Sequence, residues 1–423
     1  MHMKKVLIIC DLFPPAFGPR MGYLCKYLPV YGWEPAVLVE AVDDGHAFAF
    51  LKGSVPVTSV NFYTAKGKYA RKFQWLFTFL LDSFFGYKDR CIYKEAKRLL
   101  REQPFDMILC STFRTFPLTA AQRTAHKHNI PLIVDLRDII EQYAGNEYIA
   151  HSIPLADSVG KVLAAWFKRK ILRDRNRALR QADYVTTVSP WHVETLKQFN
   201  PSVELIYNGY DPELFYPEQL PTAQFIITYT GRLLSTAMQN PELLFKALHI
   251  LYEEGVLLPA DCQVHWYVDD ASQKVIRQEA EREQALPFMC FKGYVLAAQI
   301  PHILNNSSVL LLLTNQSSGD GPKGVMTTKF FEALAVEKPI LCVRSDESHL
   351  AAAIKETRAG LAAVTVEEVC DFLKHRYAEW KAKGYTAVAV DKEAQRRYSR
   401  KEQAGQFAAM LDKCVLLRRH SMH

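Results

Sequence analysis

The sequence predicts an α/β protein of two Rossmann-like, doubly wound domains facing each other across a cleft, and three observations carry that expectation. Short apolar runs alternate with helical segments along the whole chain, as parallel βα units require. Charged, glycine and proline residues cluster just after the apolar runs, at the strand ends where doubly wound sheets take ligands. The chain of 423 residues is too long for one ordinary core, and Pro212, Pro217 and Pro221 interrupt the alternation, marking 212–222 as a linker.

The first domain opens with the apolar run KKVLIIC, followed by the loop Asp11–Arg20, a helix Met21–Tyr31 and a strand Pro35–Glu40. The loop contains Pro14, Pro15 and Gly18-Pro19 but no GxGxxG, so dinucleotide binding in its usual form is not expected. A helix Asp89–Glu102, a strand Asp106–Cys110, a helix Phe116–His128 and a strand Pro131–Leu136 follow, the last ending in Asp135-Leu136-Arg137-Asp138. Residues 139–157 read as irregular. A basic helix Val159–Arg180, a strand Tyr184–Val188, a short helix and a strand Glu204–Tyr207 complete the domain at 211, with Asn208, Gly209 and Asp211 shaping the turn. The second domain, 223–391, begins with the strand Phe225–Thr230, which closes in Gly231-Arg232. Strands at Gln263–Val268, Met289–Gly293, Val309–Thr314, Pro339–Val343 and Gly360–Ala363 alternate with helices at Pro241–Glu254, Ser272–Glu283, Ala297–Leu304 and Ser348–Thr357. Two terminal helices, Val366–Lys383 and Lys392–Leu417, end the chain.

Composition narrows the class. The hydrophobic fraction of 49% and charged fraction of 23% are those of a globular protein. No apolar run reaches the ~18 residues of a membrane span, and no secretory signal opens the chain. Nine scattered cysteines without a CxxC pair fit reduced thiols in the cytoplasm and no zinc site. The thirteen histidines show no HxxxH or HExxH spacing and Asp269-Asp270 is an isolated pair, so neither a metal nor a cofactor is expected. A net charge of +7 suits phosphate ligands or an anionic membrane face, with no nucleic-acid signature. GPKG at 321–324 lacks the Walker spacing, and no GxSxG suggests a hydrolase.

Residues 66–90 differ in character: Lys66, Lys68, Arg71 and Lys72 precede a run rich in Phe, Leu and Trp that includes Trp75 and Phe79. Such a segment either lies in a membrane interface, with Trp75 and Phe79 as its test positions, or packs as a helix between domains. Gly321–Ile340, GPKGVMTTKFFEALAVEKPI, is the stretch richest in chemistry. Gly321 and Gly324 leave backbone N–H groups open to an anion, Thr327 and Thr328 can cap a helix, and Lys329 and Glu332 share one side of it. A cation, a helix N-terminus and a carboxylate suit a phosphorylated, hydroxylated ligand such as a nucleotide; a solvated Lys/Glu pair fits the local pattern equally well.

Four blocks in order resemble the GT-B glycosyltransferases of family 4 (glycosyl transferase group 1): DLFPPAFGPRMGYLCKYLPVYGWEPAVLVE; PLIVDLRD with ADYVTTVSPWHVETL and VELIYNGYDPELF; ITYTGRL with NPELLFKAL; and GVMTTKFFEALAVEKPIL. The resemblance implies a glycosyltransferase that moves a sugar from a nucleotide diphosphate-sugar to a hydroxyl of a glycan or glycolipid, retaining and metal-independent, in bacterial polysaccharide or glycoconjugate synthesis. It implies a donor-binding C-terminal domain, and an acceptor-side N-terminal domain completed by the helix 392–417. The enzyme would be cytoplasmic, with 66–87 as a candidate contact to the anionic inner face of the plasma membrane. The alternative is a non-catalytic module that binds a nucleotide-sugar or glycan.

By the same resemblance Glu332 is the ribose ligand, and the glutamate expected eight residues earlier is replaced by Gly324. Gly231 and Arg232 match the diphosphate clamp, whose partner lysine is missing after it; Lys329, or Lys323, is expected to supply that charge. Gly18 and Arg20 stand in the first loop near donor phosphate, and Tyr294 and Val295 match the turn that holds the base. Gly324, Thr327 and Thr328 offer the helix N-terminus. Asp138 orients the acceptor hydroxyl or acts as its base, or else caps the next loop, and Arg137 lies on the acceptor side.

Overall fold

The structure, a computed structural model, describes residues 3–42, 48–51, 53, 55–113, 115–142, 157–233, 236, 239–314, 326–343 and 349–421. The chain divides into two compact units, Met1–Tyr207 with Gln403–His423, and Asn208–Glu402.

In the first unit the order is β1 (Lys4–Cys10), α1 (Pro19–Tyr27), β2 (Trp33–Glu40), β3 (Val57–Val60), α2 (Lys68–Phe85), α3 (Tyr87–Glu102), β4 (Met107–Thr112), α4 (Leu118–His128), β5 (Leu132–Leu136), α5 (Asp157–Gln181), β6 (Tyr184–Thr187), α6 (Pro190–Lys197) and β7 (Val203–Leu205). The strands form a 7-stranded sheet ordered β3-β2-β1-β4-β5-β6-β7, with every neighbouring pair parallel. Every residue of β4 and of β5 is buried, which is why these strands read as continuous apolar runs: helices cover both faces of a parallel sheet. The reversal of strand order at β1 and β4 is the switch point of the doubly wound design, the place where such sheets bind ligands.

The second unit runs β8 (Phe225–Thr230), α7 (Glu242–Glu253), β9 (Cys262–Tyr267), α8 (Asp270–Arg282), β10 (Met289–Phe291), α9 (Ile300–Asn305), β11 (Val309–Leu313), α10 (Thr328–Val336), β12 (Ile340–Val343), α11 (His349–Thr357), β13 (Gly360–Ala363), α12 (Val366–Lys383) and α13 (Lys392–Arg396), with α14 (Arg400–Ser421) beginning at its end. Its 6-stranded parallel sheet is ordered β10-β9-β8-β11-β12-β13. Trp266 anchors that core, its ring centre 5.3 Å from Tyr229 and 6.1 Å from Phe245.

The α/β fold expected from the sequence is present, with local corrections. Strand β3 was not expected: VTSV is half exposed at the sheet edge and lacks the apolar run that marks a central strand. The segment after Lys66 is two helices, divided at Gly86 in the left-handed region with φ 60°. The final helix is likewise not continuous from Lys392. Tyr210 pairs with Ser399 as an isolated bridge, accepting from the Arg400 N–H at 2.7 Å and donating to Tyr398 at 3.0 Å, and this strand-like pairing interrupts the helix. Beyond it α14 joins the first unit, where Phe407 and Leu411 are buried and Asp412 accepts from the Trp33 indole at 2.9 Å. Among the described residues no helix is long and apolar enough to cross a membrane.

Candidate active site

In the second unit the chemistry gathers where β8 ends and α10 begins. Thr327 caps α10, its hydroxyl accepting from the Lys329 N–H at 3.4 Å. Phe330 and Phe331 are fully buried, and each packs on Tyr398 with ring centres 5.7 and 5.6 Å away. Those two anchors fix the rotation of the helix and so direct Lys329 and Glu332, on the other side of the turn. Lys329 lies across the end of β8. Its Nζ donates to the Tyr229 hydroxyl at 3.0 Å and stands 4.5 Å from the ring centre. Only glycine permits this: Gly231 has φ 122°, and a Cβ there would fall 2.4 Å from Lys329 Cε.

Both charges are held in surroundings that disfavour them. Burial brings Lys329 down to about 8, against the opposing pull of Glu332. Burial also raises Glu332 to about 7, against Arg400 and Lys329. No direct ion pair joins the two among the described residues, and the Glu332 side chain makes no hydrogen bond there. A cation and a carboxylate enclosed without being mutually satisfied form a site that a ligand carrying phosphate and hydroxyl groups would complete.

Arg232 takes a different course. Its side chain is 74% exposed and its Nε lies 3.3 Å from Asp269 Oδ2. Asp269 caps α8 by accepting from the Ser272 N–H at 2.9 Å, and these hydrogen bonds, more than Arg232, hold its carboxyl below the usual range. Lys329, not Arg232, is therefore the cation packed against Gly231. Tyr294 is exposed and Val295 half-buried, just past β10, two strands along the sheet from β8. Gly324, with Gly321 and Lys323, lies outside the described residues. Thr328 is the first, exposed residue of α10.

In the first unit Arg137 and Asp138 follow β5, beside the end of β1. Arg137 pairs with Asp11, and its guanidinium lies 5.6 Å from the Phe113 ring centre. Burial raises Asp11 despite Arg137. Asp138 is also raised by burial, opposed by Gln142 and Arg137. Gln142 donates to Asp138 at 2.9 Å while its carbonyl accepts from His192 Nε2 at 2.9 Å. Burial lowers His192 to about 4, so the ring is neutral; its Nδ1 lies 2.9 Å from the Thr187 hydroxyl, which itself donates to the Leu136 carbonyl at 2.9 Å. A hydrogen-bonded line thus runs from β6 to Asp138.

Gly18 and Arg20 serve the architecture of this unit. Gly18 has φ 123°, and a Cβ would fall 2.6 Å from the Leu12 carbonyl oxygen. Arg20 is buried, paired with Asp135 at 2.9 Å, and donates to the carbonyls of Ile206 and Tyr207 at 2.9 Å. Burial would raise Asp135, but Arg20 with the Thr186 and Ser111 hydroxyls outweighs it and holds the carboxyl low. The structure therefore brings Gly231, Thr327, Lys329 and Glu332 together in one unit and Arg137 and Asp138 in the other, and places Arg20 within the core.

Asp11, Gln142, His192 and Tyr229 escaped the sequence reading. Asp11 alone had a signal, standing directly after an apolar strand; the others depend on long-range packing.

Residues 21–214 match the model of Glycosyltransferase Family 4. No curated protein matches the chain. Among solved structures, HepE from Anabaena in complex with UDP is 15% identical, with a TM-score of 0.57 over 97% of this chain and 100% of that one. Sucrose-phosphate synthase from Thermosynechococcus elongatus is 14% identical, TM-score 0.55, over 97% and 98%. A glycosyltransferase from Rickettsia africae is 12% identical, TM-score 0.59, over 98% and 99%. At these identities the likeness is one of fold, and the fold is GT-B.

Proposed function

We propose that the chain is a glycosyltransferase, a reading supported by the family 4 match over residues 21–214 and the GT-B fold, and that it moves a sugar from a nucleotide diphosphate-sugar, with a uridine nucleotide as first candidate, to a hydroxyl of a glycan or glycolipid. The observation that carries this reading is the Lys329–Glu332 pair at the start of α10, two enclosed and mutually unsatisfied charges beside the end of β8. Lys329, the N-terminus of α10 with Thr327, Thr328 and Gly324, and Arg232 receive the diphosphate; Glu332 accepts from the ribose hydroxyls; Tyr294 and Val295 meet the base. The bond from the anomeric carbon to the phosphate oxygen breaks, and stabilising the departing diphosphate lowers the barrier. The acceptor oxygen forms the new bond, and Asp138 orients the hydroxyl or takes its proton. Retention of configuration and independence of metal follow the family resemblance. So do a cytoplasmic setting and a part in bacterial polysaccharide or glycoconjugate assembly. Contact of 66–87 with an anionic membrane is supported by the exposed Lys68, Arg71 and Lys72 beside exposed Phe73 and Phe77.

The test is incubation with a panel of nucleotide-sugars, following release of free nucleotide. Release by the wild type that is lost in Glu332→Ala, with folding intact, supports the transferase. Tight nucleotide-sugar binding with no release on any donor would instead favour a binding module, the reading that Gly324 in place of a glutamate keeps open.

A further inference from the structure

The carboxyl edge of the first sheet opens into a cavity of about 810 Å³. Its floor is polar. Glu40 ends β2, Asp82 lies in the last turn of α2, and Lys88 and Asp89 begin α3. Lys88 Nζ donates to both Glu40 oxygens, at 2.6 and 2.7 Å, and stands 4.9 Å from the ring centres of Phe62 and Phe116. Burial raises Asp89 to about 7, and raises Glu40 and Asp82 against the pull of Lys88. Thr115 Oγ1, in the wall, is buried without a hydrogen-bond partner among the described residues. Trp75 and Phe79, stacked with ring centres 5.6 Å apart, form an aromatic side wall with Phe167. Paired charges, buried carboxyls and flat aromatic walls suit an uncharged, hydroxyl-rich ring.

A smaller hollow of about 270 Å³ adjoins this one, sharing Ser83, Phe84 and Lys170 and adding Trp166, Arg169 and Arg173. Its charged lining residues are all cations. Trp166, Arg169, Lys170 and Arg173 recur at three, four and seven residues, hence on one face of α5. Phe84, which lines both hollows, belongs to an apolar stripe. Phe73, Leu76, Phe77, Leu80 and Phe84 recur at helical spacing on α2, and each is between 44% and 72% exposed. Phe84 and Trp166, 6.4 Å apart, join the stripe to the cations.

We propose that this face of the N-terminal unit binds an amphiphilic acceptor: a saccharide linked through phosphate or diphosphate to a long apolar chain. The saccharide occupies the larger cavity, the phosphate meets Arg169, Lys170 and Arg173, and the chain lies along the stripe of α2. The proposal rests on the glycosyl-transfer reading and narrows its acceptor to the lipid-phosphate-linked class. The sequence of environments, polar floor, cationic hollow and apolar stripe, is the sequence of groups along such a molecule. A soluble glycan would leave the cations and the stripe unused. An anionic bilayer would meet both and leave the enclosed floor unused.

The experiment is co-sedimentation of the full chain with three kinds of vesicle: phosphatidylcholine alone, phosphatidylcholine doped with prenyl diphosphate N-acetylglucosamine, and phosphatidylcholine carrying phosphatidylserine at matched surface charge. The expected result is binding to the doped vesicles at least about tenfold tighter than to either other kind. That preference disappears in Arg169→Gln/Lys170→Gln/Arg173→Gln, while thermal stabilisation by UDP shows that this variant is folded. Equal binding to the doped and phosphatidylserine vesicles, or a preference undiminished in the triple variant, overturns the proposal. Failure of the transferase reading is read separately, as absence of nucleotide release from any nucleotide-sugar.

Discussion

Replacing Lys329 with Met should make the protein more stable and the donor weaker, and the two effects can be sized. A lysine held at about 8 instead of 10.5 costs about 3 kcal/mol of folding free energy while protonated. Lys329 is only partly buried, so screening by solvent reduces this by about a third, to about 2 kcal/mol. Losing its bond to Tyr229 takes back about 1 kcal/mol, and Met fills a similar volume. The net gain of about 1 kcal/mol should raise the melting midpoint of the C-terminal unit by about 2–4 °C. The sign with pH is fixed. The folded-state value lies below the unfolded one, so the cost is fully present below about pH 8 and disappears as pH rises from there to about 10.5. Over that window the wild type gains on the variant and the gap closes. A diphosphate that uses this ammonium should bind about 10–100-fold more weakly to Lys329→Met. Calorimetry without ligand, repeated with UDP, reads both quantities. A variant that melts lower than wild type at pH 7 and keeps its UDP affinity would refute the argument.

Two further outcomes are expected. Donor kcat/KM should peak between about pH 7 and 8, because Glu332 ionises near 7 and Lys329 deprotonates near 8, both moved by burial; Glu332→Gln should remove the acid limb. A profile flat from pH 6 to 9 would show that neither group meets the donor. Arg20→Met should destabilise the N-terminal unit by about 3–5 kcal/mol in urea titrations, because Asp135 is left buried and charged, and Arg20→Met/Asp135→Leu should recover much of the loss. Unchanged stability with a raised donor KM would return Arg20 to the phosphate site.

The fold was legible because its signals are local: apolar runs of parallel strands, and proline and glycine between them. The site was legible only where its chemistry is also local. Lys329 and Glu332 share a helix, so three residues of spacing placed them together. That Lys329 lies against Gly231 depends on Tyr229 and on a missing Cβ about a hundred positions away, and no spacing carries that. Arg20 shows the converse. A charged residue in a glycine- and proline-bearing loop reads as a ligand contact, yet it pairs with Asp135, whose burial is decided by the strands around it. The aromatic segment separates the two kinds of information most sharply. Composition marks it as unusual, but only packing shows that Trp75 and Phe79 turn to the cavity while Phe73 and Phe77 face outward. A membrane test on Trp75 and Phe79 would therefore disturb the cavity wall, whereas one on Phe73 and Phe77 would report on the exposed stripe. Asp11 and Glu40 follow the same logic. Each stands where an apolar strand ends, a position the sequence shows, and each gains its meaning from the groups that long-range packing sets opposite: Arg137 for one, Lys88 for the other.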